Sequence, residues 1–239
     1  MAAAKRLRLF PLNTVLFPGA VLNLHVFEPR YRQMISECLE RNEAFGVALI
    51  REGDEAGDPE AMPHDIGTEA EICDVTSLPA GRYYISTTGR RRFRIRRMIS
   101  REPYLLAEVE YLHEELDDPT TIDELSEEVR DEFREYLRLL VEFSGSDAEI
   151  DVPKDPVNAS YLIGDTLQIA DNVKQRLLEL SNTHERLATE LDFLRRLLPQ
   201  LRMLLEKKAA QAPIARDDAP GGEFRTHQEH YFGKHFSMN

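Results

Sequence analysis

Three groups of side chains in this sequence are of kinds that do chemistry. The first is imidazole: the late stretch FRTHQEHYFGKHF holds His227, His230 and His235 beside Phe224, Tyr231, Phe232 and Phe236. Three histidines can bind zinc, but this spacing matches no closed site and no cysteine joins them, so no metal is expected. The stretch reads instead as a mobile tail, or as an aromatic arm that docks on an apolar groove of its own chain or of a neighbour. The second group is guanidinium, in GRRRFRIRR at residues 89–97. As a strand, this stretch turns Phe93 and Ile95 one way and Arg92, Arg94 and Arg96 the other, making an arginine ladder. The ladder has two readings: pairing with acidic neighbouring strands such as TEAEI and LAEVEY, or a face for RNA or an acidic peptide. The third group is a hydroxyl with a base, Ser36 with His25 or His64. Triads are spatial, and no spacing argument assembles these residues.

The signatures of common enzymes are missing. There is no GxxxxGK[ST] loop for phosphate, and no GxSxG, HExxH or CxxC. No catalytic residue, metal or cofactor is therefore expected. Cys38 and Cys73 can make at most one bridge and lack metal spacing, so a reducing cytoplasm is the simplest setting.

The chain that must position these groups has 239 residues, 42% hydrophobic and 31% charged, which is the make-up of a soluble globular protein. No stretch has the form of a signal peptide, and none approaches the roughly 18 apolar residues of a membrane span. A formal charge of −13 speaks against duplex nucleic acid as a general partner.

Up to about residue 112 the sequence alternates as strands do. VLNLHVF sets Leu22, Leu24 and Val26 against Asn23 and His25, and LLAEVEY sets Leu105, Ala107, Val109 and Tyr111 on one face. FGVALI is a short apolar run. LPAG and TTGR mark turns, and several strands so punctuated predict a small barrel or sandwich. One helix interrupts them: in EPRYRQMISECLER, Tyr31, Met34, Ile35, Cys38 and Leu39 share a stripe, with Pro29 in the first turn.

Beyond residue 117 the period becomes helical. Ile122, Leu125, Val129, Phe133, Tyr136 and Leu140 line one helix, Asp155 and Pro156 open a second, and NVKQRLLEL is a short third. The last helix, over residues 183–208, carries Leu187, Leu191, Leu194, Leu198, Leu201 and Leu205 at heptad spacing. That seam packs either on the preceding helices or on a second copy of the chain. Pro199 predicts a kink or break near Leu198.

In order, LRLFPLNTVLFPGAVLNLHVFEPRY, IGTEAEI, GRRRFRI, PYLLAEVEYL and KQRLLELSNTHERLATELDFL make a sequence that closely resembles the amino-terminal, substrate-binding domain of Lon proteases. Within that family it is most similar to stand-alone bacterial proteins made of that domain alone. The resemblance implies an α+β fold. A PUA-like pseudo-barrel with one helix would occupy residues 1–116, a helical bundle residues 117–208, and a linker and aromatic tail residues 209–239. It also implies binding of unfolded or degron-bearing polypeptides, as an adaptor or holdase acting beside a protease or chaperone. The ATPase and Ser-Lys protease that follow in Lon itself are not expected here. A homodimer is a further expectation, no membrane partner is expected, and RNA binding through residues 90–97 is the alternative function.

Within LFPGAVLNLHVFEPRY, most residues serve the fold. Arg30 at a helix start does not, because the helix dipole favours an acid there. Phe17, Pro18, Phe27, Glu28, Arg30 and Tyr31 are accordingly expected to rim a groove for a partner peptide.

Overall fold

A computed structural model describes residues 5–53, 58, 60–115, 119–145, 151–211 and 236–238. Strands come first: β1 (Lys5–Leu12), β2 (Val21–Val26), then helix α1 (Pro29–Arg41), β3 (Phe45–Glu52), β4 (Met62–Pro63), β5 (Ile66–Leu78), β6 (Arg82–Ser100) and β7 (Leu105–Tyr111). Helices α2 (Pro119–Ser144), α3 (Pro156–Thr166), α4 (Asp171–Glu179) and α5 (Thr183–Gln211) follow, and a short strand β8 (Phe236–Met238) comes last. The fold is α+β.

The strands close a circuit. β1 pairs in parallel with β3, and the rest pair antiparallel: β3 with β5, β5 with β6, β6 with β7, and β7 with β1. Leu7, Leu9, Phe93, Leu105, Ala107 and Val109 fill this five-stranded barrel. β6 is 19 residues long, so its first half extends beyond the barrel and carries β2 on one side and the second half of β5 on the other. The alternation read from VLNLHVF is observed: Leu22, Leu24 and Val26 are buried and Asn23 is exposed. They pack with Tyr31, Met34, Ile35 and Cys38 of α1. Burial pushes the Cys38 thiol up to about 11, the behaviour of a core cysteine and not of a nucleophile.

TTGR is not a turn. It lies inside β6, and Gly89 is there for close approach of backbone. Its N–H donates to the Ala20 carbonyl at 2.9 Å, its own carbonyl accepts from Gly19 at 2.8 Å, and a Cβ at Gly89 would stand 2.2 Å from the Phe17 carbonyl oxygen. A glycine inside a strand serves a bend or a close crossing, and only the fold says which.

The helical part packs on the barrel. Val129, Phe133 and Tyr136 of α2 meet Leu187, Leu191, Leu194 and Leu198 of α5 in one core. Arg202 contacts Glu135 at 3.1 Å and Lys208 donates to the Phe143 carbonyl at 2.5 Å. The two registers advance together, so α2 and α5 run parallel. The leucine seam is therefore covered within the chain and is not open to a second copy. Asp155 caps α3 by accepting from the Asn158 N–H at 2.9 Å, and Asn182 caps α5 by accepting from Glu185 at 2.8 Å.

α5 is also continuous through Pro199, where a kink or break was expected. Pro199 is exposed while Leu194, Leu198 and Leu201 are buried. The proline thus sits on the water-facing side, and the apolar face on either side of it stays packed on α2. Tertiary packing outweighs the local cost of about 3 kcal/mol. Among the described residues, no helix is long and apolar enough to cross a membrane.

Candidate functional site

The six residues expected to rim a peptide groove separate in space. Phe17 and Tyr31 are not on the surface. Phe17 is fully buried, with its ring 6.4 Å from that of Tyr161 and its edge against Gly164. It seals the seam between barrel and helices, together with Val15, Leu49, Ile66, Leu177 and Leu178. Tyr31 stacks on Phe10 at 4.0 Å under α1. Both are apolar rings at positions where the chain crosses a packed layer, and burial takes them away from any partner.

The other four flank β2. Pro18, half-buried, precedes it and lines a cleft of about 360 Å³ with Gly19 and Ala20 on one wall and Pro153, Asn158 and Leu162 on the other. Phe27, exposed, follows β2. Next to it Arg30 Nε donates to Glu28 Oε2 at 3.0 Å and Arg30 Nη1 to the Asp58 carbonyl at 3.1 Å, while the guanidinium lies 4.6 Å from the Tyr31 ring centre. Glu28 Oε1 and Arg30 Nη2 are buried and without a hydrogen-bond partner among the described residues.

What joins these two ends is the outward side of β2, which the sequence reading passed over. Val21 and Tyr84 are 57% and 46% exposed. Tyr84 sits opposite His25 in the β2–β6 register, with ring centres 4.6 Å apart, and His25 is 5.5 Å from Phe27. His25 Nε2 is buried and unpartnered. Asn23, Asp74, Thr76, Tyr84 and Ser86 line a shallow depression of about 390 Å³ beside them. The signal was available: Val21, Asn23 and His25 alternate with the core residues of the same strand.

The arginine ladder needs a larger correction, because Arg92, Arg94 and Arg96 do not share one exposed face. Arg92 is 2% exposed. Its Nη1 donates to the carbonyls of Leu178 at 2.8 Å and Leu180 at 2.6 Å, and its Nη2 to Glu114 at 2.6 Å. Arg94 is half-buried. Arg96 is exposed and pairs with Glu110. A register shift in the β6–β7 ladder between Ile95 and Arg97 ends the simple alternation. For Arg90, Arg91, Arg96 and Arg97, the reading that pairs the arginines with acidic strands is what the fold contains. Arg90 meets Glu71, Arg91 meets Glu69 at 3.0 Å, and Arg97 meets Glu108 at 2.8 Å.

Glu114 is the hub between the two parts of the molecule. Arg186 Nη2 and Thr183 Oγ1 donate to its second oxygen at 2.8 and 2.9 Å, and the Tyr161 hydroxyl also donates to it. Burial alone pushes this carboxyl up, but Arg186, Tyr161 and Arg92 outweigh it and hold it below the usual carboxylate range.

Catalytic groups are dispersed. Ser36 donates to Glu40 at 3.2 Å, His64 faces Glu179 at 3.5 Å, and His25 lies against the tilted ring of Tyr84. Among the described residues no three His, Cys, Asp or Glu side chains converge as a metal would require. The tail residues His227, His230 and His235, with Phe224, Tyr231 and Phe232, lie outside the described residues.

Comparison with known proteins gives a consistent result. The family model described as "ATP-dependent protease La (LON) substrate-binding domain" matches residues 6–196. Lon protease of Flavobacterium johnsoniae is 29% identical over 232 residues, covering 93% of this chain and 28% of the relative. Lon protease 2 of Sorangium cellulosum is 28% identical over 199 residues, 81% of this chain and 25% of the relative. The chain thus spans about a quarter of the length of these relatives. Among solved structures, a Lon N-terminal domain protein from Xanthomonas campestris superposes with a TM-score of 0.58 at 28% identity, covering 79% of this chain and 98% of that one. The N-terminal domain of Mycobacterium avium complex Lon protease gives 0.60 at 20% identity, with 80% and 98% covered, and shows the fold.

Proposed function

The chain belongs to the family of the ATP-dependent protease La (LON) substrate-binding domain, and from that premise we propose that it is a non-enzymatic module that recognises polypeptide, acting as an adaptor or holdase for unfolded or degron-bearing proteins. The observation that carries the reading is the family match, which takes in barrel and helices alike. The surface around β2 supports it, since Val21, Phe27 and Tyr84 offer exposed apolar contacts there. The proteolytic activity of the longer relatives is not carried over.

The RNA alternative loses its footing in the basic strand. Arg90, Arg91, Arg96 and Arg97 already face carboxylates, and Arg92 is inside. Phosphate contacts need cations free to release counterions. A reducing, cytoplasmic setting is part of the proposal and rests on two unpaired thiols, one of them exposed.

The test uses the purified full chain with fluorescein-labelled β-casein, which is unfolded under native conditions, and with a folded protein of similar size. A saturable rise in anisotropy for casein only, unchanged by RNase, together with suppressed light scattering from a heat-unfolded client, is the expected result. Absence of casein binding would sink the proposal.

A further inference from the structure

A closed barrel has no edges, so unpaired backbone is confined to what is attached outside it. β4, two residues long, is attached to β3. The second half of β5, residues 71–78, is attached to one side of the extension of β6, and β2, six residues long, to the other. The inner side of β2 pairs with β6, and its outer side presents a row of N–H and C=O groups. The structure sets β8 on that outer side, parallel to β2, with Asn23 beside Phe236, Leu24 beside Ser237 and His25 beside Met238.

We propose that the outer edge of β2 is the docking site for an extended polypeptide segment running parallel to it, and that β8 is a resident strand which such a segment must displace. The inference rests on the polypeptide-recognition reading and adds to it the site, the strand direction and a control.

Three features set the ligand class. First, recognition is by backbone, so many sequences qualify; a strand added to a sheet edge takes its affinity from main-chain bonds and its preferences from the side-chain surface nearby. β8 registers against only Asn23, Leu24 and His25, so a longer segment that also pairs beside Val21, Leu22 and Val26 gains ladder bonds that β8 does not make. Second, the nearby surface is apolar with few polar groups: exposed Val21 at one end, Tyr84 and Phe27 at the other, and between them the unpartnered Nε2 of His25. Third, Asp74 lies in the adjoining depression and the chain carries a charge of −13, which disfavours acidic segments. Residues 232–239, FGKHFSMN, contain two phenylalanines, a lysine, a histidine and no acid. The resident strand and its neighbours in sequence have the composition this edge calls for.

Covalent attachment explains how three residues hold the edge, because a tethered segment is present at high effective concentration whatever the protein concentration. The same logic makes β8 a gate: apparent client affinity falls by the fraction of molecules whose edge is open.

The experiment compares the full chain with its Phe236→Pro/Ser237→Pro double variant. Two consecutive prolines remove the ladder donor whichever of the two N–H groups turns to β2. Amide hydrogen exchange at residues 21–26 is read first. Binding of a fluorescein-labelled peptide with the sequence of residues 232–239 is read second, then its displacement by unlabelled β-casein. The expected results are exchange at β2 about tenfold faster and peptide affinity about tenfold higher in the variant, displacement by casein, and no binding by a peptide N-methylated at residues 236–238. Unchanged exchange with unchanged affinity would overturn the resident strand, and binding that survives N-methylation would overturn backbone pairing. Casein that binds the protein without displacing the peptide would overturn the edge as client site yet leave polypeptide recognition standing, whereas casein that binds neither form would remove both. A dimer in light scattering that becomes a monomer in the variant would give the strand to a second copy and overturn the same-chain occupant.

Discussion

Arg92 of the sixth strand and Glu114 beyond the seventh meet at 2.6 Å beneath the helices, and Arg186 of α5 holds the other oxygen of the same carboxylate at 2.8 Å. One acid thus ties a barrel strand to the last helix. The guanidinium groups of Arg92 and Arg186 also lie 5.8 and 4.3 Å from the Tyr161 ring centre.

Arg92→Ala should destabilise the protein by about 3 kcal/mol, because it leaves the half-buried Glu114 carboxylate short of one partner and the Leu178 carbonyl without its donor, while the Leu180 carbonyl keeps Arg186. Arg92→Lys should recover little, since a single ammonium cannot reach three acceptors in a planar fork. Urea titration followed by circular dichroism measures both. A cost below about 1 kcal/mol for Arg92→Ala, the range of exposed pairs, would mean that the network does not hold the two parts together. Because Glu114 is held below its ordinary value of 4.5, its contribution is present above that pH and is lost on acidification.

Glu190 behaves in the opposite sense. It is fully buried, neither oxygen has a partner, and burial, only partly offset by Arg186, pushes its carboxyl well above 4.5. Below pH 4.5 the group is protonated both folded and unfolded and costs nothing through linkage. Above that pH the unfolded chain ionises first, so stability falls by up to about 1.4 kcal/mol per pH unit until the folded group also ionises. Glu190→Gln removes this slope. Unfolding free energies of the two proteins at pH 4 and pH 8 should show the variant gaining on the parent as pH rises; a constant difference would contradict a protonated Glu190.

Pro199→Ala should raise stability by about 2–3 kcal/mol. The proline is exposed in a helix interior, so alanine restores a backbone bond and gives up no packing. Thermal denaturation reads this as a higher Tm. An unchanged Tm would show that α5 is already open at the proline.

Arg96→Ala/Arg97→Ala should change stability by no more than about 1 kcal/mol and leave casein binding as it was. These pairs are exposed on the barrel wall. Filter binding of a labelled single-stranded RNA at low and high salt completes the test. Strong binding with a steep salt slope that disappears in the variant would restore the nucleic-acid function.

Much of the fold was legible because its signals are local. Alternation in VLNLHVF and LLAEVEY, the stripe Tyr31, Met34, Ile35 and Cys38, and the cap at Asp155 each depend on neighbours within a few residues. The errors fell where distant segments meet. Phe17 and Arg92 were expected at the surface, and each is covered by a part of the chain that no short window contains; Tyr31, read both as helix stripe and as groove rim, belongs to the core. Gly89 was read as a turn because the strand that needs its missing side chain crosses the loop at residues 17–20. Pro199 was read as a kink or break, and the helix continues through it, because propensity is local and the packing that overrides it is not.

The sequence alone therefore determined the class of the molecule: the strand-then-helix order, the core stripes, the absence of common catalytic signatures and the family resemblance. Tertiary structure decided which charges are tools and which are bolts. An arginine reads the same in a sequence whether water or a buried carboxylate surrounds it. The difference is a matter of desolvation and partner geometry, and only the folded chain, by closing a barrel and laying helices across it, supplies either. The same closure leaves β2 and the second half of β5 outside the barrel on either side of β6, a property of the sheet that no residue of either strand carries by itself.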